Sequence, residues 1–323
     1  MKTVKVQDAI GQVLCHDMTQ IIPGVSKGAR FRKGHIIKEE DIPVLLSMGK
    51  ENIFIYEYDE SKYHENEAAK HLGQLGMGEN IYMKDPVEGK VDLFSSVDGL
   101  LKVNVEILNK INSIPEIMMA TKLTNTPIKK DGKIAGTRVI PLVINREPVD
   151  KAVVIGKDQE LLKILPYQNL KAGLVTTGNE VYYGRIEDKF TDVIRNKMKR
   201  YGMTEIGQEN STDDKEMIKE KIELLIEKGA EIIFCSGGMS VDPDDNTPGA
   251  IGEVADHIIT YGSPVLPGAM FMLAYLGEIP IVGLPGCVMY SGKTIFDLIL
   301  PRLAAKDKIQ REEICDMGHG GLL

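Results

Sequence analysis

The chain has 323 residues, 43% hydrophobic and 27% charged, with a formal net charge of −8, a composition that fits a soluble globular protein with room for two or three domains. An acidic balance without basic stripes argues against a general nucleic-acid surface. No apolar run reaches the ~20 residues of a membrane span and Met1-Lys-Thr-Val lacks the apolar core of a signal peptide, so a cytoplasmic protein is expected.

The four cysteines, Cys15, Cys235, Cys287 and Cys315, have no Cys-x-x-Cys spacing. Reduced thiols are expected, and neither a disulfide framework nor a zinc site is implied.

Residues 1–60 read as a small β-rich domain with one amphipathic helix, Glu39–Met48, and a strand, Asn52–Tyr56. Before them lies a basic, glycine-bounded stretch whose Lys27, Arg30, Arg32 and Lys33 fit either a phosphate contact or a solvated hairpin. Tyr63–His71 reads as a polar helix. Its histidines, His64 and His71, are two turns apart, and a rise of ~10 Å is too great for two ligands of one metal. Gly73, Gly76 and Gly78 are expected in a flexible loop.

Residues 61–150 form a second small α+β domain on this reading, with a strand at Gly89–Phe94, a helix at Leu100–Ile111 and a strand at Ile117–Thr121. Asp131-Gly132 then signals a turn before Gly136–Ile144. Asp98, Thr121 and Arg138 fall at element ends, where they either border a ligand or serve as ordinary caps. A polar, proline-containing stretch, Asn145–Asp150, marks a domain boundary between residues 145 and 168.

From Leu170 strands alternate with helices: strands at Ala172–Thr176, Glu231–Cys235 and Ile279–Gly283, helices at Asp192–Tyr201, Asp214–Lys228 and Pro248–Ala255. That alternation predicts a three-layer α/β domain over 165–310 with a mostly parallel sheet, followed by a tail, 311–323. Asp213–Glu216 reads as a capping box. Ligands bind such sheets at the carboxyl ends of the strands, so three loops should meet there: Thr177–Glu180, residues 236–248 and Gly283–Gly286.

The loop Ser236–Pro248 carries most of the chemistry. Gly237-Gly238 lets main-chain N–H groups approach a ligand closely. Asp242, Asp244 and Asp245 follow, then Thr247 as a helix cap and Pro248 at the first helical position. Glycine turns and helix starts attract phosphate, while clustered carboxylates attract Mg²⁺.

In this order, Thr176-Thr-Gly-Asn-Glu-Val181, Gly184-Arg-Ile-Glu-Asp188, Ser236-Gly-Gly-Met-Ser-Val241 with Asp245-Asn-Thr-Pro248, and Gly283-Leu-Pro-Gly286 resemble the molybdopterin-binding domain of molybdenum-cofactor biosynthesis enzymes. The resemblance covers about residues 170–305. It implies a transferase that takes adenylated molybdopterin, inserts molybdate and releases AMP with Mg²⁺. The alternatives are an adenylyltransferase that activates molybdopterin with ATP, and a protein that binds or senses the cofactor without turnover. Thr-Gly-x-Glu and Gly-Leu-Pro-Gly are similar to the molybdenumtransferase, and Asp-x-Thr-Pro to the adenylyltransferase.

Carried over by motif, Glu180, Asp188 and Asp245 are the implied catalytic acids, and Asp245, Asp242 and Asp213 the implied metal ligands. Thr177, Gly178, Gly237, Gly238, Met239, Ser240, Thr247, Pro285 and Gly286 are the implied pterin-binding residues. Asp213 also suits a plain helix cap. The chain departs from the transferase pattern at Leu284-Pro-Gly-Cys-Val288 and at Leu266-Pro-Gly-Ala-Met270, where the family's lysines are missing. Cys287 fits either a thiol near the metal or a small buried hydrophobe. The resemblance further implies a homo-oligomer, dimer or trimer, with other enzymes of cofactor biosynthesis as partners and no nucleic-acid or membrane partner.

Overall fold

The computed structural model describes residues 2–22, 24, 26–55 and 59–323. The chain divides into two compact units, one of residues up to 96 with 101–124 and 130–164, the other of 97–100, 125–129 and 165–323. The first unit holds most of residues 1–150, and residues 97–100 and 125–129 belong to the second. Among the described residues no helix is long and apolar enough to cross a membrane.

In the first unit, Lys2–Lys5 pairs antiparallel with Asn52–Ile55, and Met18–Ile22 forms a hairpin with Ser26–Phe31. Val6, Leu14, Phe31, Ile37, Leu45 and Ile53 close a small core over the helix Asp41–Ser47. Arg30, Arg32 and Lys33 stand exposed on or beside that hairpin. Tyr56 and the Lys27 side chain lie outside the described residues.

A four-stranded antiparallel sheet follows, in the order Ile81–Met83, Lys90–Ser95, Lys133–Val139, Ile117–Thr121. Its side chains alternate with the pleat: Val91, Leu93, Met119, Ala135 and Val139 are buried, while Asp92, Gly136, Arg138, Met118 and Ala120 are not. The helices Glu65–Leu75 and Val105–Asn112 pack on the sheet, and Arg146–Gly156 packs against both helices.

Two sequence expectations change here. Gly73 is no loop residue. It lies buried inside Glu65–Leu75, where an added Cβ would stand 2.8 Å from Val91 Cγ1, so its missing side chain lets helix meet sheet. The stretch from Leu100 is a strand, Gly99–Val103, and the helix starts only at Val105, where the Asn104 side chain accepts from Ile107 N. His64 caps Glu65–Leu75 by accepting from Asn66 N, and its other ring nitrogen stands 2.6 Å from the Cys15 carbonyl.

The second unit is the expected three-layer α/β domain, and labels below refer to it. Its elements are β1 (Lys171–Thr177), α1 (Asn179–Tyr182), α2 (Phe190–Lys199), β2 (Thr204–Ser211), α3 (Lys215–Glu227), β3 (Ile232–Ser236), α4 (Thr247–Val254), β4 (His257–Tyr261), β5 (Met272–Leu276), β6 (Ile279–Leu284), α5 (Ile295–Ala304) and α6 (Arg311–Asp316). The six strands run in the order β2-β1-β3-β6-β5-β4. The β2–β1, β1–β3 and β3–β6 pairs are parallel, and β6–β5 and β5–β4 are antiparallel.

Alternate residues of the central strands supply two cores. Leu174 and Phe234 point toward Ile194 of α2 and Phe296 of α5, whereas Val175, Ile233 and Cys235 point toward Ile218 and Ile222 of α3 and Ile251 of α4. Covered on both faces, the central strands read as unbroken apolar runs.

Residues 311–323 are packed. Ile314 of α6 joins the core, Leu266 N donates to the Gly321 carbonyl at 2.7 Å, and Leu323 N donates to the Leu266 carbonyl at 2.9 Å. The helix starts shift slightly. Asp214, and not Asp213, caps α3 by accepting from Met217 N at 2.9 Å. Thr247 is already helical, with Asn246 at the cap position and the proline within the first turn of α4.

Candidate functional site

The parallel register brings three strand ends to one level: Thr176 lies beside Ser236, and Ser236 beside Leu284. The loops that follow β1, β3 and β6 therefore leave the sheet from a common edge. This is the edge at which parallel sheets bind ligands.

The β3 loop turns back sharply through Gly237 at φ 91° and Gly238 at φ 55°. A Cβ at Gly237 would lie 2.2 Å from the Thr177 carbonyl oxygen, so glycine is required both for the dihedral and for the close approach to β1. Two buried threonines lock this contact. Thr247 Oγ1 donates to the Gly237 carbonyl at 2.9 Å, and it stands 3.1 Å from Thr177 Oγ1, which bonds the Ser236 carbonyl at 3.3 Å. Thr177 and Thr247 thus spend their hydroxyls holding the turn in place.

Beyond the turn, Gly237, Gly238, Met239, Ser240, Asp242 and Asp245 line a cleft of ≈ 620 Å³. The opposite walls are Leu266-Pro-Gly-Ala-Met270 and Leu284-Pro-Gly-Cys287, with Phe190 and Tyr290 completing the rim. Among the described residues Asp242 and Asp245 are its only charged lining residues. They belong to one turn, in which Asp242 N donates to Asp245 Oδ2 at 3.2 Å and Asp245 N to the Asp242 carbonyl at 2.9 Å. Cys287 is half-buried there, and burial pushes its thiol up, so it stays protonated at neutral pH.

Eight of the sequence-predicted residues meet around this cleft: Gly237, Gly238, Met239, Ser240, Asp242, Asp245, Pro285 and Gly286. The others stand off its lining. Gly178 and Glu180 belong to the β1 loop, where Glu180 is exposed. Asp213 accepts from Asn179 N at 3.1 Å, tying the β2 loop to the start of α1. Among the described residues no three His, Cys, Asp or Glu side chains form a group able to hold a metal ion, so Asp213 does not join Asp242 and Asp245 in one.

Asp188 is occupied by the fold itself. Its Oδ1 accepts from the Phe190 and Thr191 amides, both at 3.0 Å, and its Oδ2 from Thr191 Oγ1 at 2.6 Å, Gln208 Nε2 at 2.8 Å and Thr176 Oγ1 at 3.0 Å. Burial alone pushes this carboxyl up. The donors from Thr191, Thr176 and the Phe190 amide outweigh it and hold the group below the usual carboxylate range. A carboxyl depressed in the folded state stabilises above its unfolded pKa of about 3.9, and the gain is lost as pH falls through the folded value. Asp188→Asn should therefore cost about 2 kcal/mol at neutral pH. Urea titrations at neutral and acidic pH check this, and the gap from the native protein should shrink in acid.

The Leu266–Met270 wall, Phe190 and Tyr290 were not among the predicted site residues. The Leu-Pro-Gly sequence at 266–268 repeats the Leu-Pro-Gly at 284–286, and that repetition was the available signal. A second cavity, of ≈ 270 Å³, lies at the opposite end of the strands around Leu170, Ala230 and Ile279. Its Lys306 and Lys308 are already paired with Glu231 and Glu278, and it is away from the carboxyl edge.

Residues 173–305 match the family model described as "Probable molybdopterin binding domain", and residues 3–57 match a domain of unknown function. A CinA-like protein of Petrotoga mobilis is 34% identical over 84 residues, 26% of this chain and 21% of the relative, so the chain spans about a fifth of that protein's length. Among solved structures, the molybdopterin biosynthesis enzyme MoaB of Thermus thermophilus is 23% identical over 42% of this chain and 89% of its own, with a TM-score of 0.36. The tungsten cofactor synthesizing protein MoaB of Pyrococcus furiosus is 18% identical over 42% of this chain and 93% of its own, with a TM-score of 0.35. In motif order and by the family match, residues 173–305 are similar to the molybdopterin-binding domain.

Proposed function

We propose that the cleft takes a molybdopterin, free or adenylated, and that the chain works in molybdenum-cofactor biosynthesis. The observation that carries this reading is the meeting of the Gly237-Gly238 turn, the Leu266–Met270 loop and the Leu284-Pro285-Gly286 turn around one cleft charged only by Asp242 and Asp245. A phosphorylated pterin is an anion. With no cation in the lining, its charge falls to main-chain N–H groups of the glycine turns and to a divalent ion. Mg²⁺ commonly takes one or two carboxylates and completes its shell with phosphate oxygens and water. The Asp242–Asp245 turn offers that number, and bound Mg²⁺ would supply neutralising charge at the phosphate.

In this reading Gly237, Gly238, Met239 and Ser240 orient the phosphate, Pro285 and Gly286 brace the pterin, and Thr177, Gly178 and Thr247 keep the turn in shape. Glu180, exposed on α1, is the acid open to an incoming ligand, whereas Asp188 and Asp213 act through the loops they hold. The proposed turnover is uptake of molybdate by the pterin dithiolene with cleavage of the phosphoanhydride and release of AMP. Asp245→Asn should lower AMP release from adenylated molybdopterin, Mg²⁺ and molybdate by about a hundredfold. Unchanged release would remove Asp245 from the chemistry.

One observation favours a second reading. Molybdate is a dianion, and no cationic side chain lines the cleft to draw it in. Tight pterin binding with neither AMP release nor ATP consumption would identify a carrier or sensor of the cofactor. ATP consumption with free pterin would instead identify adenylyl transfer. We further propose a cytoplasmic dimer or trimer that exchanges its pterin with other enzymes of cofactor biosynthesis, and a division into domains at 1–60, 61–150 and 165–310.

A further inference from the structure

We propose that the face of the four-stranded sheet opposite its helices in the first unit is a docking surface for an acidic, extended segment of a partner protein. Helices pack on the sheet face that holds Val91, Leu93, Met119 and Ala135. The opposite face carries the alternate residues. Across the strands Gly136 stands beside Asp92 and Ala120, and Arg138 beside Lys90 and Met118.

Small side chains at Gly136 and Ala120 leave a trough of ≈ 470 Å³ with an apolar floor, in which Met118 is 44% exposed. Among the described residues four cations line it, Lys90, Lys122, Lys133 and Arg138, and no carboxylate does. The neighbouring Asp92 is shared between two ammonium groups, Lys90 at 3.0 Å and Lys133 at 2.7 Å, and Arg138 reaches Glu65 only at 3.9 Å. The surplus is positive on a chain whose net charge is −8. Lys90 and Arg138 also face each other directly across the strands, a like-charge pairing that costs stability and that an anion between them would relieve.

The occupant follows from what the face lacks. Single-stranded nucleic acid is held by bare aromatic rings on which bases stack. Here the Phe94 ring stacks on Tyr82 with centroids 5.6 Å apart and has the Lys84 ammonium over it at 4.4 Å, so it is already engaged. Addition of a strand at the Ile117–Thr121 edge is blocked at its centre, because Asn112 bonds both Met119 N, at 2.8 Å, and the Met119 carbonyl, at 2.9 Å. Carboxylates on an extended peptide lying across the face satisfy the cations, and its apolar side chains cover Met118.

The probe is a short fluorescein-labelled peptide alternating glutamate and leucine, titrated with the full chain in fluorescence anisotropy. Binding should weaken with salt and fall about tenfold or more in the Lys122→Glu/Lys133→Glu double variant. Met118→Asp, which leaves the cations in place, should weaken it as well. Both changes are at exposed positions, and thermal melting verifies the fold. Binding unaffected by both variants, absence of binding at low salt, or tighter binding of oligothymidylate than of the peptide would overturn the proposal.

Discussion

Gly237→Ala is expected to abolish pterin binding, with a loss of affinity of at least about a hundredfold, and to cost roughly 1–3 kcal/mol of stability. The native residue sits at φ 91°, which alanine adopts only with strain. Its Cβ would also lie 2.2 Å from the Thr177 carbonyl oxygen and 2.7 Å from Thr177 Oγ1. Thr177 cannot withdraw, because the end of β1 is held on both sides, Thr177 by Ser211 and Thr176 by Ser236. The turn itself must move, taking its N–H groups out of the cleft. Gly292→Ala is the control: Gly292 is an exposed residue of the same unit outside the cleft lining, and a Cβ there meets nothing within 4 Å. Calorimetric titration with molybdopterin should separate the two variants. Equal affinities would show that the ligand is not seated on the Gly237-Gly238 turn.

Arg302→Met should lower the stability of the α/β unit by about 3 kcal/mol, a melting shift of roughly 10 °C for a unit of this size. The Arg302 side chain is 1% exposed on α5, and it reaches Asp307 Oδ2 through Nε and Glu313 Oε1 through Nη2, each at 2.6 Å. Methionine fills much of the volume but removes the cation that Asp307 and Glu313 share. Glu313 would suffer twice, since it also accepts from Gln310 N at the start of α6. Arg302 Nη1 is a buried donor without a hydrogen-bond partner, so the native arrangement already carries a cost. The triple variant Arg302→Met/Asp307→Asn/Glu313→Gln, which strands no charge, should recover part of the loss in urea titrations. A triple variant no more stable than the single one would place the effect in packing.

The centre of the α/β unit was legible because its strands obey one rule. β3, Ile-Ile-Phe-Cys-Ser, is buried at every position and then breaks at two glycines, so strand, edge and loop could be read from four apolar letters and a turn signal. β2, Thr-Glu-Ile-Gly-Gln-Glu-Asn-Ser, was invisible to that rule. As an edge strand it is half-buried, and its polar side chains work across the edge, as when Gln208 bonds Asp188. At the site, the glycine turn and its acids Asp242 and Asp245 line one cleft because they are neighbours in sequence. The fate of Asp188 was not legible, because five donors drawn from two strands and a helix converge on it only in three dimensions. Thr247 was read as a helix cap for a related reason, since its partners, Gly237 at the far end of its own loop and Thr177 at the end of β1, reach it only in the fold.

The pairing of Leu266 with Gly321 and Leu323 has a practical corollary. Similarity to the family model stops at residue 305, yet one bank of the cleft is propped from behind by the chain's last three residues. An expression fragment trimmed to the boundary of the match would keep every recognised motif and lose that prop. Where to cut this domain is thus a question for the hydrogen-bond pattern, and the limits of sequence similarity answer it too short.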